Sequence, residues 1–230
     1  MREFYNNLKY NAMEIMRFKV IKKVFQNEKN RSLKGRAMMF SIVINITISL
    51  MVLVAVLMHL KKTTARILFR FFTLQSNVFC ALTCLVFACF EIAGVVPEAV
   101  YILKFTGTVA VMVTFLTVML FLGPVVHSYK EMFVGPDLFL HLICPLAALV
   151  AYIFPDRTRM SPWAVFFGVL PVILYGILYL KKVVFTKGEN AWEDFYGFNK
   201  DGKWKISFVL MIAATALLSF LMYTLGGCVS

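Results

Sequence analysis

Two stretches of this chain carry residue types able to perform acyl transfer. In FRFFTLQSNVFCALTC, residues 69–84, Arg70, Thr73, Asn77, Cys80 and Cys84 recur at steps of three and four. That spacing sets them along one stripe of a helix. In DLFLHLIC, residues 137–144, Asp137, His141 and Cys144 follow the same rule. A threonine hydroxyl becomes a nucleophile when a neighbouring base takes its proton, and His141 is of the right type to do so. Asp137, four residues earlier, is spaced to accept a hydrogen bond from the imidazole and orient it. Asn77 or Arg70 could stabilise an oxyanion. Gln75 and Ser76 fall off the stripe and read as helix–helix contacts.

The elements that must position these groups are membrane spans. The 230 residues are 60% hydrophobic and only 16% charged, with a mean hydropathy of +0.78. A soluble domain is nearer half apolar and a quarter charged. The apolar residues also come in continuous blocks of roughly 18–25, too long for the alternating strands of a barrel. Six blocks are expected, near 37–60, 68–93, 100–123, 137–154, 163–180 and 206–225. The fold class is therefore all-α, a polytopic membrane protein with a bundle of six transmembrane helices over 37–230.

Residues 1–36 form a separate basic segment holding ten of the 24 Lys and Arg, in a chain of net charge +12. An amphipathic helix on the membrane surface and a disordered basic tail both fit its composition. A basic flank of this kind touches anionic lipid head groups and holds its end in the cytoplasm, so both termini are expected there. Nucleic acid is not an expected partner.

Six spans start every even-numbered helix on the same side. Thr73 and His141 then sit at one shallow depth, roughly 6–8 Å below the same surface at 1.5 Å per residue. His59 and His127 belong to that side too, as does the loop containing Trp192, Asp194 and Tyr196, a candidate cap. Alternatives stay open on the residues alone. Ser, Thr and Asn in membrane helices commonly serve as interhelical glue. Arg70 and Lys104 can snorkel to the head groups. A path for protons or anions lined by Arg70, Asp137 and His141 would make the chain a small transporter, and a scaffold is a third reading.

Nucleophile elbows, P-loops, HExxH and GxGxxG are missing from the sequence. The five cysteines show no CxxC and no zinc spacing, so neither a disulfide framework nor a metal is expected, and no cofactor is implied.

FFTLQSN at the head of the second span resembles a signature of a six-helix membrane family. That family contains the androgen-induced and androgen-dependent TFPI-regulating proteins and many bacterial relatives. LHLICPL, residues 140–146, is similar to its second signature. LPVILYGILYL and NAWEDFYGFN look like its bacterial branch. The animal members hydrolyse fatty acid esters of hydroxy fatty acids with an intramembrane Thr and His. By motif, the resemblance implies Thr73 and His141 as the catalytic pair, an amphiphilic lipid ester as substrate and a bacterial inner membrane as location.

Overall fold

The computed structural model describes the backbone of residues 2–126, 129–153 and 160–228. It describes their side chains except at 2–22, 24, 25, 27, 125, 126, 131 and 228. His127, Arg157 and Arg159 lie outside the described residues.

The chain is all-α, with no strand among the described residues. Its principal helices are α1 (Arg2–Leu60), α2 (Phe72–Ile92), α3 (Glu98–Leu122), α4 (Pro136–Ile153), α5 (Trp163–Phe185) and α6 (Trp204–Cys228). Each is long and apolar enough to cross a membrane, so this is an integral membrane protein. The basic segment is helical from Arg2 as part of α1, and one boundary of an apolar block differs from expectation. The second block begins at Phe72 rather than 68, because Phe71 is extended (ψ 133) and separates it from the short helix Ala65–Leu68.

Contacts divide the chain into two units, Met1–Phe40 and Ser41–Ser230. In the first, the side chains of residues 28–36 are exposed. In the second, α3 is the central helix, touching α2, α4, α5 and α6, with Phe105, Val109 and Val111 fully buried. Lys104 belongs to this core rather than snorkelling outward. It is 3% exposed, its ammonium donates to the Ala151 carbonyl at 2.9 Å, and it lies 3.9 Å above the centre of the Phe87 ring. The physical reason is that a carbonyl of α4 and a ring face of α2 meet the charge there.

Small residues set the helix spacing. A Cβ on Gly107 of α3 would run into the Thr83 hydroxyl of α2 and lie 3.1 Å from the Cys80 backbone. Gly168 lets α5 approach Ser219 of α6, whose hydroxyl donates to the Val165 carbonyl at 2.9 Å. Close approach through small residues and interhelical hydrogen bonds is how helices associate where lipid removes the hydrophobic drive.

Three helices widen to i→i+5 hydrogen bonding at one end: α3 over Val118–Leu122, α4 over Phe139–Ile143 and α5 over Lys181–Phe185. In the first two, a proline then leaves one carbonyl without a donor. The Gly123 N–H reaches Val118 and the Cys144 N–H reaches Phe139, so the next donors in this register would be residues 124 and 145. Both are proline and have no N–H. The orphaned carbonyl of Met119 takes the Tyr129 hydroxyl at 3.0 Å instead, and that of Leu140 takes the Asn77 amide at 3.0 Å. In α5 the Thr186 hydroxyl serves Lys181 at 2.7 Å, and the Trp192 N–H serves Lys182 at 3.0 Å.

Replacing Gly107 by Val is expected to destabilise the bundle by about 1–3 kcal/mol through overpacking of α2 on α3. A lowered thermal midpoint in detergent, unaccompanied by loss of helical circular dichroism at low temperature, is the outcome that measures it.

Candidate active site

Thr73 is the second residue of α2, just after the chain enters the helix from the extended Phe71. It lines a cavity of about 540 Å³ between α2, α3, α5, α6 and the loop between α5 and α6. A volume of this order suits a small amphiphile or a single chain. The wall is mainly apolar, with Phe72, Val172 and Met211 among its residues. Its polar residues all carry hydroxyls, Thr73, Thr114, Tyr175, Tyr179 and Tyr196 among them. Leu120 and Leu210 also line it and are 73% and 63% exposed on the apolar flanks of α3 and α6. The cavity therefore has an edge on the surface that lipid covers.

His141 is buried in the widened turn of α4 and does not line this cavity. Its Nδ1 lies 2.8 Å from the Met132 carbonyl oxygen. A carbonyl only accepts, so Nδ1 carries a hydrogen, and in the neutral ring the lone pair is then on Nε2. The chain reaches this geometry through Gly135, whose φ of +62 reverses the backbone before Pro136 opens α4. The end of the preceding helical turn is thereby returned over the His141 ring.

Asn77 joins the two sides. Its amide nitrogen donates to the Thr73 carbonyl at 2.8 Å and to the Leu140 carbonyl at 3.0 Å, so the backbones carrying Thr73 and His141 share one donor group. Its Oδ1 is fully buried and has no hydrogen-bond partner among the described residues. Among the same residues no hydrogen bond joins the Thr73 hydroxyl to the His141 ring.

Three expectations about supporting residues change here. Asp137 does not orient His141: its carboxylate is 3.1 Å from His59 Nε2. The widened turn starting at Phe139 breaks the i, i+4 stacking that would have set Asp137 beneath the ring. Asn77 has committed both amide hydrogens to backbone carbonyls, which removes it as an oxyanion donor. The Arg70 guanidinium lies 6.0 Å from the centre of the Trp192 ring, and the Arg70 carbonyl accepts from the Tyr175 hydroxyl at 2.8 Å. Off the stripe, Ser76 meets the Thr114 hydroxyl across to α3 at 2.8 Å, whereas Gln75 turns back to the Phe69 carbonyl at 2.7 Å rather than to another helix.

The candidate cap residues have distinct places. Asp194 organises the loop: one carboxylate oxygen accepts from the Tyr179 hydroxyl at 3.0 Å and the Phe198 N–H at 2.7 Å, the other from the Asn199 N–H at 2.7 Å. The Tyr179 oxygen in turn accepts from the Tyr196 N–H at 3.1 Å. Gly197, at φ +64, closes the tight turn. Trp192 packs edge-on against Tyr179. Tyr196 is carried into the cavity wall, where its hydroxyl oxygen accepts from the Phe72 N–H at 3.2 Å. Burial pushes its phenol above the ordinary tyrosine value, and hydrogen bonds with the Phe72 N–H and with the Tyr175 and Thr73 hydroxyls oppose that shift.

Residues that sequence reasoning passed over are Tyr175 and Thr114. The available signal for the former was the spacing of Tyr175 and Tyr179, four apart on one face of α5. No family model, curated protein or solved structure matches this chain. Among the described residues no group of three His, Cys, Asp or Glu could hold a metal ion.

Asn77→Ala is expected to cost about 1–3 kcal/mol, the penalty for a buried carbonyl left without a donor. Pro145→Ala supplies an N–H in the register that Leu140 lacks, so the cost of Asn77→Ala should shrink in that background. A double-mutant cycle of unfolding in detergent reads the coupling, and strictly additive changes would contradict it.

Proposed function

We propose that this protein is an intramembrane lipid-ester hydrolase that uses Thr73 as nucleophile and His141 as general base. On this reading it is a relative of the six-helix family that its motifs resemble, located in a bacterial inner membrane with both termini in the cytoplasm. The observation that carries the proposal is the placement of Thr73 on the wall of an apolar cavity with an edge toward lipid. Two features support it. With Nδ1 donating to the Met132 carbonyl, Nε2 is the ring nitrogen that can receive a proton when the ring is neutral. Asn77 holds the backbones of Thr73 and Leu140 to a single amide, and His141 is the next residue.

The chemistry uses these groups in turn. Thr73 Oγ1 attacks the acyl carbon, its proton passes to His141 Nε2, and the carbonyl electron pair moves to oxygen. When the carbonyl re-forms, the ester C–O bond breaks and the departing alkoxide takes the proton from His141. Water repeats the sequence on the acyl-threonine and releases the acid. Catalytic hydrogen bonds are commonly loose before substrate arrives, so the Thr73–His141 bond is one that substrate binding must complete. The acyl chain occupies the apolar cavity while its ester lies at the Thr73 end.

Hydrolysis of a long-chain 4-nitrophenyl ester in detergent micelles, together with labelling by a fluorophosphonate probe, tests this. Thr73→Ala and His141→Ala are each expected to lower turnover by about 10³-fold or more, with the thermal midpoint held within a few degrees. Undiminished labelling in both variants would remove the pair. Flux of protons into liposomes that His141→Ala abolishes would favour a transporter.

A further inference from the structure

The oxyanion of the acyl-transfer step needs a hydrogen-bond donor, and the two residues whose types suggested that role are engaged elsewhere. Asn77 donates to two backbone carbonyls, and Arg70 lies over Trp192, away from the cavity wall. The hydroxyls that do face the cavity differ in what their single proton does. Tyr175 gives its proton to the Arg70 carbonyl, and Tyr179 gives its own to Asp194. Tyr196 is arranged otherwise. Its oxygen accepts the Phe72 N–H at 3.2 Å through a lone pair, and its hydroxyl hydrogen stays beside the Thr73 and Tyr175 hydroxyls rather than on a backbone carbonyl or a carboxylate. Phe72 immediately precedes Thr73, so the phenol is held at the nucleophile's own backbone, on the same cavity wall.

We infer that Tyr196 is the oxyanion donor of this site: its phenolic O–H gains no proton and loses none, but hydrogen-bonds the acyl carbonyl oxygen as Thr73 Oγ1 attacks. The inference rests on the acyl-transfer reading. As the Oγ1–C bond forms, the pair from the carbonyl double bond collects on oxygen, and the Tyr196 hydrogen bond shortens to meet it. When the carbonyl re-forms, the charge leaves and Tyr196 is unchanged.

Two properties of the loop suit the role. An oxyanion donor works because it is already in place when charge develops, so that no reorganisation is required then. The Asp194 carboxylate, with three donors on it, and the Tyr196 N–H on the Tyr179 oxygen supply that rigidity. A donor must also stay protonated, and the surroundings of Tyr196 favour its neutral form. The aromatic neighbours Tyr175, Tyr179 and Phe195, with ring centres 6.4, 5.3 and 4.7 Å away, exclude water from much of its surface.

The test measures kcat and KM for 4-nitrophenyl ester hydrolysis by the full-length protein in detergent, with active sites counted by the fluorophosphonate probe. Tyr196→Phe should lower kcat by about 10²–10³-fold, the loss typical of one oxyanion-hole donor, while KM changes by less than about threefold. A purely structural tyrosine would instead shift KM and the thermal midpoint and leave kcat per counted site intact, which overturns the inference. The second variant places 3,5-difluorotyrosine at 196. Its more acidic phenol ionises at lower pH and then ceases to donate, so the alkaline fall in kcat should move to lower pH. An unmoved alkaline limb also overturns the inference. A wild-type protein that neither hydrolyses ester nor takes the probe defeats the acyl-transfer reading itself. Loss of activity in Thr73→Ala alongside full kcat in Tyr196→Phe defeats only the role of Tyr196.

Discussion

The carbonyl of Leu140 has no donor in its own helix, and the arrangement around Thr73 depends on how that group is satisfied. Once α4 widens at Phe139, the donor to Leu140 must come from residue 145, and residue 145 is proline. Inside the bundle an unpaired carbonyl costs about 1–3 kcal/mol, so the group must be served from outside the helix. Asn77 of α2 supplies the hydrogen bond at 3.0 Å and, with its other amide hydrogen, takes the Thr73 carbonyl at 2.8 Å. One side-chain amide thus ties the two helices whose polar residues suggested a site. It also explains why a buried, costly asparagine occupies a membrane span: its role is geometric.

The same logic repeats around this end of the bundle. Met119 loses its donor to Pro124 and is served by Tyr129; Lys181 is served by Thr186. Widened turns are not merely irregularities here, because each exports a carbonyl that recruits a polar group from a neighbouring segment. Val118, Leu120 and Leu122 of the widened turn in α3 line the cavity. In α4 the widened turn carries His141. In α5 it launches the loop that returns through Trp192 and Tyr196. Polar satisfaction and the shape of the cavity are consequently one problem, solved by the same residues.

A second polar centre has a different character. Lys104, donating to Ala151 and resting on Phe87, and the Ser41 hydroxyl, donating to Glu91 at 2.8 Å, hold α1, α2, α3 and α4 together away from the cavity. Buried charge of this kind contributes positional specificity when its hydrogen bonds are well formed. Lys104 shows that a basic residue inside a span need not reach for the head groups when the bundle offers it a carbonyl and a ring face.

Much of this architecture was legible in the sequence, because length and hydropathy are summed over many residues and tolerate local error. The six apolar blocks, their order, and the common end shared by Thr73 and His141 come from counting residues at a fixed rise. The loop with Trp192, Asp194 and Tyr196 was conspicuous as polar and aromatic residues between two spans. What counting could not supply was rotation. The i, i+4 rule set Asp137 under His141, but the widened turn shifted the ring, gave Asp137 to His59 and left His141 to the Met132 carbonyl. Side-chain polarity likewise suggested Asn77 as an oxyanion donor, although its hydrogens are spent on two carbonyls. The sequence by itself determined which segments cross the bilayer and which polar residues they carry, since burial in lipid depends on composition. Only the tertiary structure decided which donor meets which acceptor, since a hydrogen bond depends on ångströms and on partners remote in the chain.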